Sequence, residues 1–198
     1  MPDAFALFNL SRRPWLDAAD LREEFHRRSA ALHPDAGGDA EGFAHLNAAH
    51  RTLTEPAARL RHLLELEAPE ILAQSQRIPP ALADRFMQAG SARQSAENFL
   101  AKHRAASSPL ARALLAGEHA AQTQALDTAL ADLDAAHTDA LARLREIDAG
   151  WRERIPDLAR LQAELSYLGK WTAQLRESHL ALALAGNQKS EIRNQKSP

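Results

Sequence analysis

Residues 21–35 read LREEFHRRSAALHPD, and this stretch decides the fold. Leu21, Phe25 and Leu32 recur at steps of four and seven, the spacing of one apolar stripe on an α-helix. Arg22, His26, Arg27 and Arg28 make the same segment basic, and Asp20, Glu23 and Glu24 lie close enough to neutralise part of it. Pro34 lacks an N–H and fixes φ, and it drives His33 away from helical geometry, so the helix ends here. His33, Pro34 and Asp35 therefore stand on a stiff corner that opens the turn Ala36-Gly37-Gly38-Asp39. An imidazole and a carboxylate displayed beside a cationic helix face suit docking on a partner better than chemistry on a substrate.

Working outward, Asp17 is a good N-cap for a helix over 18–32. A second helix over 40–54 carries Phe43, Leu46, His50 and Leu53 at helical spacing, and two helices joined by so short a loop form an antiparallel hairpin. Before the hairpin, residues 4–10 are a short apolar stretch of one or two helical turns, and residues 11–15, with Pro14, read as a loop. After it, Pro56 opens a short helix with Leu60, Leu63 and Leu64 on its apolar face. Pro69, Pro79 and Pro80 mark residues 68–80 as the expected domain boundary. Three long helices are predicted beyond it, over 81–105, 108–149 and 156–184. Ser108 and Pro109 cap the middle one and Pro156 opens the last. Leu126, Leu130, Leu133, His137, Leu141 and Leu144 trace one stripe, and Leu158, Leu161, Leu165, Leu168 and Leu175 trace another. Each stripe is too narrow to stand alone, so either a three-helix bundle or an intermolecular coiled coil must cover them, and a homodimer stays open. The polar repeat NQKS, at residues 187–190 and 194–197, cannot bury enough surface to order itself, which predicts a disordered tail over 186–198.

Composition agrees with an all-α chain. Of 198 residues, 45% are hydrophobic, supplied mostly by Ala and Leu with no Val at all, which leaves a β-sheet without its preferred residues. A net charge of -2 gives no electrostatic footprint for nucleic acid or an anionic membrane. The absence of cysteine removes disulfides, thiolate catalysis and cysteine-ligated zinc or iron–sulfur sites, and it fits a cytoplasmic location. Met1-Pro2-Asp3 is acidic where a signal peptide would be basic, and no apolar run reaches the length of a membrane span. The histidines do not form a metal site: His45 and His50 point roughly 140° apart on a helix, and His26 and His33 lie about 10 Å apart along one. Gly37-Gly38 lacks the Lys and Ser/Thr of a phosphate-binding loop, and no nucleophile elbow accompanies His33 and Asp35. The residues thus point to a binding protein without cofactor or metal, and not to an enzyme.

LREEFHRRSAALHPD followed by LNAAHRTL resembles the second helix, loop and third helix of a J domain, the module by which co-chaperones switch on the ATPase of DnaK-type chaperones. DAFALFNL (residues 3–10) and EPAARLRHLLEL (residues 55–66) resemble one subtype, the HscB-like co-chaperones of iron–sulfur cluster assembly, in which a proline, an arginine and paired leucines follow the third helix, as Pro56, Arg59 and Leu63-Leu64 do here. ELSYLGKW (residues 164–171) resembles the last helix of that subtype's C-terminal bundle. The resemblance implies a J domain over 1–66, a linker over 67–80 and a client-binding bundle over 81–185. It implies that His33, Pro34 and Asp35 engage a DnaK/HscA-type chaperone at its nucleotide-binding domain and interdomain linker, aided by Arg22, His26 and Arg27. It implies that Phe86, Met87 and Tyr167 meet the cluster scaffold protein. Arg28 stands where the family has an apolar residue, Ser91 and Gln94 where it has acidic ones, and Gly90 where it has another apolar one.

Overall fold

The computed structural model describes residues 2–32, 39–74 and 79–194, with side chains described through 73 and from 79 to 186. His33, Pro34 and Asp35 lie outside the described residues. Among those described, the chain is helical with no strand: α1 (Ala4–Leu7), α2 (Ala18–Leu32), α3 (Ala40–Thr54), α4 (Pro56–Glu67), α5 (Pro69–Gln74), α6 (Ala83–Ala105), α7 (Pro109–Leu114), α8 (Ala116–Ile147) and α9 (Ile155–Asn194). Short 3₁₀ stretches, Pro80–Leu82 and Asp148–Arg154, precede α6 and α9. The helices divide into two units, residues 1–79 with 139–166, and residues 80–138 with 167–198.

In the first unit, helix starts follow local cap chemistry. Asp3 Oδ1 accepts the Phe5 N–H at 2.9 Å, Asp17 Oδ1 accepts the Ala19 N–H at 2.8 Å, and Asp39 carboxylate oxygens accept the Glu41 and Gly42 N–H groups. Asn9 takes a left-handed conformation (φ 52°), one of the few residue types that does so cheaply, and turns the chain after α1. Phe5, Phe8, Leu53, Leu60, Leu63 and Leu64 are fully buried. They share one apolar cluster with Ala140, Leu144, Ile147, Trp151, Leu158, Leu161 and Leu165.

Two charged residues lock the loop before α2. Arg59, 4% exposed, donates Nε to the Pro14 carbonyl at 2.8 Å and Nη1 to the Leu53 carbonyl at 2.5 Å. Burial pushes its guanidinium down to about 10, so it stays charged at neutral pH. Asp148, also buried, accepts the Trp15 N–H at 2.8 Å and pairs with Arg13. The Pro56, Arg59, Leu63-Leu64 signature therefore has a physical content: a helix start, a double carbonyl anchor and two core side chains.

In the second unit, Leu82, Ala89, Ala96 and Phe99 meet Leu126, Leu133 and Ala136 of α8 and Leu168, Trp171, Leu175 and Leu182 of α9. Alanines on facing helices let the backbones approach closely. His119 Nε2 lies 2.9 Å from the Leu182 carbonyl, and Arg85 pairs with Asp132 at 2.8 Å. Both leucine stripes are thus covered within one chain.

Four expectations change. Residues 68–80 are not a bare connection, because α5 forms there and buries Leu72. Residues 139–166, expected in the bundle over 81–185, complete the first unit's core instead, because the same leucine period serves both cores. The helix expected over 108–149 breaks at Leu115, where ψ is -1° and the N–H bonds three residues back to the Arg112 carbonyl at 3.2 Å. The helix expected to end at 184 runs on to Asn194, since extending a formed helix costs far less than starting one. No described helix is long and apolar enough to cross a membrane.

Candidate functional site

α2 is seated by Leu21, which is buried, and by Phe25, whose ring stacks on His50 of α3 at 4.0 Å between centroids and 19° between planes. Arg22 and His26 flank Phe25 and are exposed. Four residues apart, they share one helix face. Neither has a carboxylate partner among the described residues. His50 reports their closeness: burial first, then the charges of His26 and Arg22, lower its affinity for a proton. A cationic patch thus spans this edge of the α2–α3 hairpin, at the helix that leads into residues 33–38.

Arg27 and Arg28 behave differently. Arg27 is exposed but donates Nε and Nη2 to the two Glu24 oxygens at 2.9 and 2.5 Å. Arg28 also pairs with Glu24, donates Nη1 to the Leu7 carbonyl at 2.7 Å and lies 5.9 Å from the Phe8 ring centroid. A carbonyl, a carboxylate and an aromatic face together satisfy a guanidinium where an apolar side chain is expected. Arg27 first and Arg28 second hold the Glu24 carboxyl down to about 2.

On the second unit, Phe86 is 44% exposed, Met87 is 67% exposed and Tyr167 is half-buried. The rings of Phe86 and Tyr167 lie 5.6 and 5.7 Å from that of Trp171, which is buried between them. Trp171 is a residue that reading the sequence missed, although it closes the quoted ELSYLGKW and follows Tyr167 by one helical turn. Met87 does not join this cluster. It lines a groove between α6 and α8 with Ala92, Ala125 and Ala129. Gly90 has open space where its side chain would be, and Ser91 borders the same groove as Met87. No group of three metal-ligating side chains occurs among the described residues.

No family model matches the chain. A curated relative, the co-chaperone protein HscB homolog of Cupriavidus taiwanensis, is 35% identical over 82 residues, which is 37% of this chain and 47% of the relative. The match therefore spans about half the length of that relative. Chaperone HscB from Vibrio cholerae has a similar fold, with a TM-score of 0.58 and 21% identity over 91% of this chain and 99% of that one. In sequence over part of its length, and in fold over nearly all of it, the chain is similar to the HscB co-chaperones.

Proposed function

We propose that the chain is a J-domain co-chaperone that stimulates a DnaK/HscA-type ATPase and delivers to it a client, the iron–sulfur cluster scaffold protein. The observation that carries the reading is the exposed pair Arg22 and His26, neither with a carboxylate partner among the described residues, on the α2 face that leads into His33, Pro34 and Asp35. A partner's acidic groove gains contacts with both without breaking any in return. Asp35, next to Pro34 in the sequence, supplies the opposite charge, and its loss leaves a basic partner group unpaired. Arg27 extends the same surface. On the second unit, Phe86 and Tyr167 rest against Trp171 as a firm aromatic patch of the kind that anchors protein interfaces.

The expected test is a binding titration of the labelled chain with the ATP-loaded chaperone. Asp35→Asn abolishes binding, Arg22→Ala weakens it, and rising salt weakens the wild type, because exposed charges are screened. Equal binding by all three proteins overturns the reading. A different client for the same J domain is favoured by one observation: Met87 lines the α6–α8 groove and stands apart from the Trp171 cluster. Capture of the scaffold that depends on Phe86 and Tyr167 but not on Met87 keeps the scaffold as client; no capture at all favours another.

A further inference from the structure

We propose that Glu24 masks Arg27 in the free protein, so that the chaperone must displace an internal carboxylate before it can use that arginine. The proposal rests on the co-chaperone reading above. Of the exposed basic side chains assigned to docking on α2, Arg22 and His26 have no carboxylate partner among the described residues. Arg27, by contrast, gives one edge of its guanidinium to both Glu24 oxygens, at 2.9 and 2.5 Å. Glu24 precedes Arg27 by three positions, within reach on one helix face and with the acid on the N-terminal side, the favourable order.

An exposed ion pair usually contributes little, since two long side chains must be ordered to form it. Glu24 is ordered from its other side. Arg28 pairs with the same Oε1 that Arg27 Nη2 contacts, and Arg28 is itself tied to the Leu7 carbonyl of α1 at 2.7 Å. The pair is therefore bidentate and backed by a network, the two conditions under which a surface pair holds well. The low proton affinity of Glu24 keeps the mask charged throughout the neutral range.

The consequence is a difference in role among the cations. Arg22 and His26 attract any acidic partner, whereas Arg27 is released only to a carboxylate that holds it better than Glu24 does. Glu24 is thus a specificity-determining residue, and Arg28 positions it.

The test measures the concentration of co-chaperone that half-stimulates the chaperone ATPase, at fixed salt, for the wild type, Glu24→Gln, Arg27→Ala and the double variant. The mask predicts that Glu24→Gln lowers this concentration about two- to five-fold, the worth of one well-formed exposed pair. It predicts no such gain in the Arg27→Ala background. Glu24→Ala, which suits a helix at least as well, gives the same pattern. No gain from either Glu24 variant overturns the proposal while leaving the co-chaperone reading intact. An equal gain with and without Arg27 also overturns it, since general charge reduction then suffices. A wild type that fails to stimulate removes the reading and the proposal together.

Discussion

His62 shows how one buried side chain makes stability depend on pH. It is 3% exposed, stacks on Phe5, and accepts the Ala4 N–H at Nε2 over 3.0 Å. A ring that accepts at Nε2 is neutral and carries its proton on Nδ1, which is buried without a hydrogen-bond partner. Burial lowers its proton affinity, and Asp3 and Glu65 only partly oppose this, with Arg12 acting in the same sense as burial. Because the folded value lies below the unfolded one, the stabilisation is complete above about pH 6.5 and is lost as pH falls towards the folded value. The melting temperature is therefore expected to fall between pH 7.5 and 5.5. His62→Gln keeps an acceptor for Ala4 but does not titrate, so it should flatten that fall, the remainder belonging to His50, which burial also depresses. An unchanged slope in His62→Gln contradicts the assignment.

At the scale of elements, Arg59 joins the end of α3, the start of α4 and the loop at Pro14 through two carbonyls. Arg59→Ala leaves both carbonyls without their charged donor and should cost about 3 kcal/mol in urea unfolding. A loss below about 1 kcal/mol would show that the carbonyls find other partners. α2, α3 and α4 were legible in the sequence because Asp17, Asp39 and Pro56 start them by local chemistry that needs no tertiary partner. The role of Asp148 was not legible. Its partners Arg13 and Trp15 lie more than 130 positions away in the chain, and nothing local marks an aspartate as a distant cap. The break at Leu115 was hidden for a related reason, since neither proline nor glycine occupies the position itself. Arg28 looked misplaced because only the fold supplies the Leu7 carbonyl and the Phe8 ring.

Across the whole molecule, two apolar cores carry the two surfaces, and their division was half legible. Prolines at 69, 79 and 80 marked the change at residue 80, but an unbroken leucine period in α8 and α9 gave no sign that residues 139–166 complete the first core. The proposed docking face lies on the first unit and the Phe86–Trp171–Tyr167 cluster on the second, so the two proposed activities should separate by mutation. Replacing Phe86 and Tyr167 with Ala is expected to abolish scaffold capture in a pull-down while sparing stimulation of the chaperone. Loss of both activities would contradict that separation. The most direct measurement of the central claim is steady-state ATP hydrolysis by a DnaK/HscA-type chaperone, with wild-type chain or Asp35→Asn, with and without the scaffold protein. The account predicts stimulation by the wild type, further stimulation when the scaffold is present, and none by Asp35→Asn. Hydrolysis that the wild type leaves unchanged, or that Asp35→Asn raises equally, would contradict it.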